Sequence, residues 1–216
     1  MNCLVTAGPT YESLDAVRRL TNFSTGQLGS DLAGYLVARG HEVTLLKGYY
    51  ALHQEPATVR KVIPFTTTDD LKARLAALAS GSVQAVFHVA AVSDFTFGKV
   101  WRRSPTGELQ EVKAGKFSSR EGRLLVELEP APKIIAHLRR WFPQARLAGW
   151  KYEVDGDRTD AIAKAEHQIS EFQTDACVIN GRAYGAGYGL VTQGAKCLHL
   201  REAGVLFEAL TEWVAA

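Results

Sequence analysis

Short apolar runs alternate along the chain with segments whose apolar residues recur every three to four positions. Residues 2–7 form such a run, cut by Gly8-Pro9-Thr10, and read as a buried strand. Over residues 29–39, Leu32, Ala33, Leu36 and Val37 fall at helical spacing, and Gly40 supplies a stop. Strands are expected at 42–46 and around 59–63. A helix is expected at 69–78, with the hydroxyls of Thr66, Thr67 and Thr68 placed to cap its first amides. Residues 85–91 are apolar without alternation, as in a central strand covered on both faces. Strands at 124–128, 147–150 and 175–180 then alternate with helices at 134–141, behind Pro132, and at 159–172. A hairpin (189–192 and 197–201) and a last helix (205–214) complete the chain. This rhythm predicts an α/β fold: a three-layer, Rossmann-like parallel sheet with helices on both faces, built as one domain over residues 1–216.

The rhythm breaks after Asp94. Residues 95–122 are rich in Gly, Ser, Lys and Arg and show no sustained period, so an inserted flap is expected over about 95–128. Lys99, Arg102, Arg103, Lys113, Lys116 and Arg120 make it basic, most of them as an ordinary solvated face.

Composition narrows the function. Twenty-five Lys and Arg against 23 Asp and Glu leave a net charge of +2, which argues against a dedicated nucleic-acid binder. With 46% hydrophobic residues among 216, the chain can build a core without disulfide or metal staples. Cys3, Cys177 and Cys197 form no paired motif and read as reduced, buried thiols of a cytoplasmic protein. No signal peptide is visible, and the longest apolar stretch, 83–92, is interrupted by Gln84 and His88 and far short of a membrane span.

In open parallel sheets, ligands bind beyond the carboxyl ends of the strands. Here those ends carry Gly8-Pro9-Thr10, the segment from Ala90 to Asp94, Gly149-Trp150-Lys151 and Asn180-Gly181. The segment Asn22-Phe23-Ser24-Thr25-Gly26-Gln27-Leu28-Gly29 leads into the first long helix. Its glycines admit a phosphate to the helix amino end, although a plain hydroxyl cap with glycine packing fits the same residues. Asp94 suits a ligand contact or a turn cap, and Trp150 suits base stacking or core filling. His88, inside an apolar strand, reads as a satisfied core histidine. The dinucleotide fingerprint, the P-loop, the zinc-protease motif and the nucleophile elbow are all missing. Residue chemistry alone therefore supports a phosphate-ligand-binding α/β domain.

An ordered set of segments sharpens this. Residues 5–10 (VTAGPT), 17–29 (VRRLTNFSTGQLG), 90–95 (AAVSDF), 115–119 (GKFSS), 132–135 (PKII) and 149–153 (GWKYE) together resemble phosphopantothenoylcysteine synthetases, in family order. The pattern is nearest the stand-alone form, without the flavin-dependent decarboxylase that many bacteria fuse ahead of it. The resemblance implies a ligase of coenzyme A biosynthesis. It would activate the carboxylate of 4'-phosphopantothenate with CTP or ATP, with Mg2+, as an acyl nucleotide that the cysteine amine then attacks. No flavin is expected.

By the same resemblance, Asn22 handles the acyl nucleotide, and Gly8, Ser24, Gly26 and Gly29 form the phosphate turn. Ala90 and Ala91 line the pantoyl site. Asp94 lies near nucleotide and acyl group, Lys116 reaches the triphosphate, Trp150 stands where a base-contacting Phe is usual, and Asn180 closes the last strand. Arg18 would serve a neighbouring subunit's substrate, in a homodimer paired through the insertion after Asp94. No residue is assigned to a metal. Three departures stand out: Pro9 in place of a second glycine, Gly181 in place of an acid, and Glu166, His167 and Gln168 where a helix usually carries a cation toward the nucleotide. They leave open a nucleotide-binding paralogue without turnover, and the layout alone leaves open an NAD(P)- or flavin-binding oxidoreductase on the same fold.

Overall fold

The computed structural model describes residues 1–79, 81–194 and 196–215. One sheet of eight strands, ordered β13-β12-β11-β10-β6-β1-β4-β5, runs through it. Its centre is β1 (Asn2–Ala7), flanked by β6 (Ala85–His88) on one side and β4 (Glu42–Gly48) on the other; β5 (Lys61–Phe65) closes that edge. Beyond β6 lie β10 (Arg146–Tyr152) and β11 (Ala176–Asn180), also parallel. β12 (Tyr188–Thr192) and β13 (Leu198–Leu200) add antiparallel strands, so the expected parallel sheet ends in the expected terminal hairpin.

Helices cover both faces, because the central strands β1, β6 and β11 are mostly apolar and buried at nearly every position. α1 (Gln27–Ala38) and α5 (Ala203–Ala215) bury Leu32, Leu36, Leu206 and Leu210 against Val5, Phe87 and Val178. On the other face, α2 (Thr68–Ala77) and α3 (Ile135–Trp141) bury Leu71, Leu75 and Leu138 against Leu4, Leu46, Val86 and Leu147. α4 (Arg158–Phe172) packs Ala161, Ala165 and Ile169 on Cys177, Ile179 and Val191. Burying so many large aliphatic side chains, each worth roughly 1.5–3 kcal/mol, is what holds the layers together. The threonine run acts as expected at one residue: the Thr67 hydroxyl accepts the Asp70 amide at 3.2 Å.

Three expectations need correction. The central strand stops at His88 rather than Ala91, because the chain beyond it turns away, rejoining β1 only at a bridge between Pro9 and Ala91. The expected flap is more regular than its composition suggested, with strands beyond the one expected at 124–128. It folds as a three-stranded antiparallel sheet of β7 (Phe95–Arg103), β8 (Leu109–Glu111) and β9 (Arg123–Pro130), whose pairing partners are too distant in sequence to produce a local period. Cys3 and Cys177 are buried, with thiols pushed up to about 11 and about 12 by that burial, but Cys197 is partly exposed. A short hairpin, β2 (Tyr11–Ser13) with β3 (Arg19–Thr21), was not legible from periodicity.

Candidate functional site

The strand order reverses at β1 and β6: β4 lies on one side of β1, and β6 and β10 on the other. Crossovers leaving a sheet in opposite directions open a crevice at the carboxyl ends of such strands. Two adjoining cavities fill it, of about 450 Å³ and about 500 Å³, and they share Phe23, Val89, Ala91, Trp150 and Tyr152 as a common wall. Two larger hollows, of about 840 Å³ and about 1000 Å³, lie at the opposite ends of the strands, beside Asn2 and Glu42 and beside Asp175. Neither touches a residue that the resemblance assigns to nucleotide or substrate.

The first cavity is a cradle lined by Gly8, Ser24, Gly26, Gly29 and Asn180. α1 is capped at Gly26, in the left-handed region with φ 79°, which has no side chain to bond the first turn; the neighbouring Thr25 hydroxyl accepts the Gln27 amide at 3.3 Å. The rest of the first turn and its positive dipole face the cavity. Gly29 lets the helix sit hard on β1: a Cβ there would lie 2.7 Å from the Ala7 Cβ.

The second cavity is lined by Asn22, His88, Ala90, Ala91, Asp94, Lys133, Lys151 and Gln168, among others. Asn22 donates its Nδ2 hydrogen to the Val92 carbonyl at 3.1 Å, which fixes the carboxamide and leaves its oxygen free to accept. The amides of Ala90 and Ala91 are used internally, donating to the Thr6 hydroxyl and the Gly8 carbonyl at 3.0 Å each. What these two alanines offer a ligand is chiefly small size, since the Ala91 carbonyl is itself taken by the Thr10 amide at 3.2 Å.

His88 behaves as the sequence suggested, a core histidine with its Nδ1 3.0 Å from the Thr6 hydroxyl. Burial pushes its pKa down to about 4, so the wall it forms is uncharged at neutral pH. Trp150 belongs to both cavities, and its indole Nε1 has no hydrogen-bond partner among the described residues.

Two predicted residues stand apart. Arg18 and Lys116 line neither cavity. The β2–β3 turn grips the segment around Lys116: Ala16 donates its amide to the Gly115 carbonyl at 2.9 Å and Phe117 donates its amide to Asp15 at 3.2 Å. Arg18 spans the same joint, pairing with Asp15 at 2.5 Å and donating to the Phe117 carbonyl at 3.0 Å. Desolvation raises the pKa of the Asp15 carboxyl, but three backbone amides and Arg18 outweigh it and hold the group below its usual range.

Sequence reasoning missed Lys133 and Lys151 as site residues, although both stand inside the quoted segments 132–135 and 149–153. Lys133 forms an ion pair with Asp94 at the mouth of the second cavity. Lys151 contacts Glu153 at 3.2 Å, and Lys164 contacts the same carboxylate at 2.5 Å. Burial raises the Glu153 pKa, yet the two lysines hold the carboxyl below its normal value. The helix thus does carry a cation toward this end of the sheet, at Lys164. Gly181, with φ 110°, lies where a Cβ would fall 2.4 Å from the Glu153 carbonyl oxygen.

Residues 1–206 match the model of the DNA/pantothenate metabolism flavoprotein C-terminal domain family. The chain belongs to this family. It is 33% identical over 185 residues to the coenzyme A biosynthesis bifunctional protein CoaBC of Thermococcus kodakarensis, covering 85% of this chain and 42% of that protein. It is 25% identical over 231 residues to a phosphopantothenate–cysteine ligase of Saccharomyces cerevisiae, covering 77% of this chain and 62% of that one. A crystal structure of the DNA/pantothenate metabolism flavoprotein from Streptococcus pneumoniae superimposes with a TM-score of 0.85 at 26% identity, over all of this chain and 98% of that one. The chain spans about half the length of the curated relatives it matches. Among the described residues, no helix is long and apolar enough to cross a membrane, and no group of three or more His, Cys, Asp or Glu side chains could hold a metal.

Proposed function

We propose that this chain is a phosphopantothenate–cysteine ligase domain, acting in the cytoplasm on 4'-phosphopantothenate, L-cysteine and a nucleoside triphosphate. The observation that carries this reading is the pair of cavities meeting at Phe23, Ala91 and Trp150. One presents a helix amino end, entered through glycine, that suits phosphates; the other has a small-residue floor and a fixed carboxamide suited to an acyl chain. Family membership and the named activity of the yeast relative point the same way.

The chemistry needs positioning more than a protein nucleophile. A substrate carboxylate oxygen attacks the α-phosphorus of the nucleotide, and the bond from that phosphorus to the α,β-bridging oxygen breaks, releasing the β- and γ-phosphates as pyrophosphate. The cysteine amine then attacks the acyl carbon; the nucleoside monophosphate leaves, and the amine loses a proton to solvent. Amides at the amino end of α1 would hold phosphate oxygens, and the free carboxamide oxygen of Asn22 would accept a hydrogen bond from the incoming amine. Trp150 would cover the nucleotide base, and Asp94 and Asn180 would border it. With only two acids on the described linings, Asp94 in one cavity and Asp31, against His53, in the other, Mg2+ would enter as part of the nucleotide complex, held mainly by phosphate oxygens.

Arg18 and Lys116 lie outside the cavities of their own chain, where a residue serving a second copy, or a flap that closes later, would stand. Val17, Leu20, Phe95, Leu109, Leu125 and Leu128, on the hairpin and the β7–β9 sheet, are exposed. A homodimer through this region accounts for both features, and sedimentation of the purified chain tests it. Of the departures that suggested an inactive paralogue, Gly181 has a local reason, a close backbone contact with Glu153.

Pyrophosphate release measured with each of CTP, ATP, GTP and UTP, plus phosphopantothenate and cysteine, tests the activity and selects the nucleotide. Silence with all four overturns the reading.

A further inference from the structure

The cavity proposed for the acyl substrate has two full positive charges on its described wall, Lys133 and Lys151, because His88 is neutral. They are held very differently. Lys151 is committed to Glu153, a carboxylate only 14% exposed that Lys164 also binds. Lys133 faces Asp94 across the cavity mouth, with side chains 57% and 63% exposed. An ion pair that open to water contributes about 0–1 kcal/mol, so replacing one carboxylate by another there costs almost nothing.

The backbones beneath this loose pair are rigid. Ala131 donates its amide to the Asp94 carbonyl at 2.8 Å, and Phe95 pairs with Pro130 at the start of the β7–β9 ladder. Pro132 fixes one side of Lys133, and Ile134 is buried at 1% exposure on the other. The ammonium is therefore delivered to a fixed place by a flexible stem, with a partner it can exchange.

From this we infer that Lys133 is the residue that binds the carboxylate of the acyl substrate, with Asp94 holding the ammonium in position until the substrate takes its place. The inference rests on the ligase reading and deepens it. A carboxylate nucleophile approaching a polyanionic nucleotide meets repulsion, and a single exposed ammonium offsets it without burying the attacking oxygen. The other cations of interest, Arg18 and Lys116, are outside the cavity, and Lys151 is already spoken for.

The test compares wild type with Lys133→Met and Lys133→Arg, all as the full chain. Losing a charged hydrogen bond is worth about 10- to 100-fold, so Lys133→Met is expected to raise KM for phosphopantothenate by that factor, while KM for the nucleotide stays within about twofold. Lys133→Arg is expected to recover most of the loss. An alcohol analogue of phosphopantothenate, lacking only the carboxylate, is expected to inhibit wild type and Lys133→Met equally, which a merely structural role would not produce. Calorimetric titration with phosphopantothenate in the absence of nucleotide supplies a reading independent of turnover. Weakened binding to Lys133→Met by an inactive wild type would sink the ligase and keep the site. Equal binding to both proteins, no binding to either, or a change confined to the nucleotide KM, overturns the inference.

Discussion

Gly8 and Gly26 touch: a Cβ on Gly26 would lie 3.3 Å from the Gly8 Cα, and also 2.9 Å from the Ala51 Cβ. The end of β1, the start of α1 and the loop after β4 thus close on one another with no room for a side chain. Both glycines sit at positive φ, 83° and 79°, where an L-residue is strained. Gly26→Ala is expected to destabilise the fold by about 1–3 kcal/mol and to weaken nucleotide binding at the cradle. Adding Ala51→Gly removes one of the two clashes. A double-mutant cycle by chemical denaturation is expected to recover part of the loss; strict additivity would mean that the Ala51 contact plays no part.

Asn22 reaches across the cleft to the Val92 carbonyl, so exchanging its amide for a carboxylate sets two oxygens against each other. Asn22→Asp is expected to slow the cysteine step by roughly 100-fold and to let the acyl nucleotide accumulate, which rapid quenching and chromatography would detect. A variant that partitions like wild type removes Asn22 from that step.

His88 links the site to pH. Its ordinary value of 6.5 is pushed down to about 4 by burial, so below 6.5 the unfolded chain takes up a proton that the native one refuses. Stability from this group is complete above pH 6.5 and is lost as pH falls toward about 4, in total about 3 kcal/mol. Urea unfolding at about pH 7 and about pH 4.5 is expected to show a smaller acid loss in His88→Gln than in wild type. Equal losses would contradict the assignment.

At Gly181, the resemblance favours an acid and the structure forbids it. With φ 110° and the Glu153 carbonyl oxygen 2.4 Å from any Cβ, Gly181→Ala is expected to destabilise by about 2–3 kcal/mol. Gly181→Asp should do no better. Thermal melting decides it: an unchanged midpoint for either variant would show that the loop relaxes freely.

Much of this molecule was legible before its structure. The helix-period runs gave α1, α2, α4 and α5 to within a few residues, because each buries a stripe against an apolar sheet and the stripe is written locally. Gly8, Ala91 and Trp150, expected at strand ends, and Asn22, Gly26 and Gly29, expected on the lead into the first helix, all line the two cavities of the cleft. Of the β7–β9 sheet only the strand at 124–128 was legible. Its ladder joins Arg103 to Arg123 and Phe95 to Pro130, and pairing over such separations leaves no local trace in the Gly-, Lys- and Arg-rich stretch that forms β7 and β8. The β2–β3 hairpin escaped for the same reason, each strand being only three residues long.

What the sequence determined by itself was the inventory: which segments pair or coil, which turns need glycine, and which chemistry stands at the strand ends. Tertiary structure alone decided who meets whom. It set Lys133 against Asp94, tied Lys116 to the Arg18 turn outside the cleft, and made Lys164 the cation opposite Glu153. Periodicity reports the face an element buries, and that depends on near neighbours. The position of a charge in a cleft depends on crossovers and strand order, which are fixed only when the whole sheet closes.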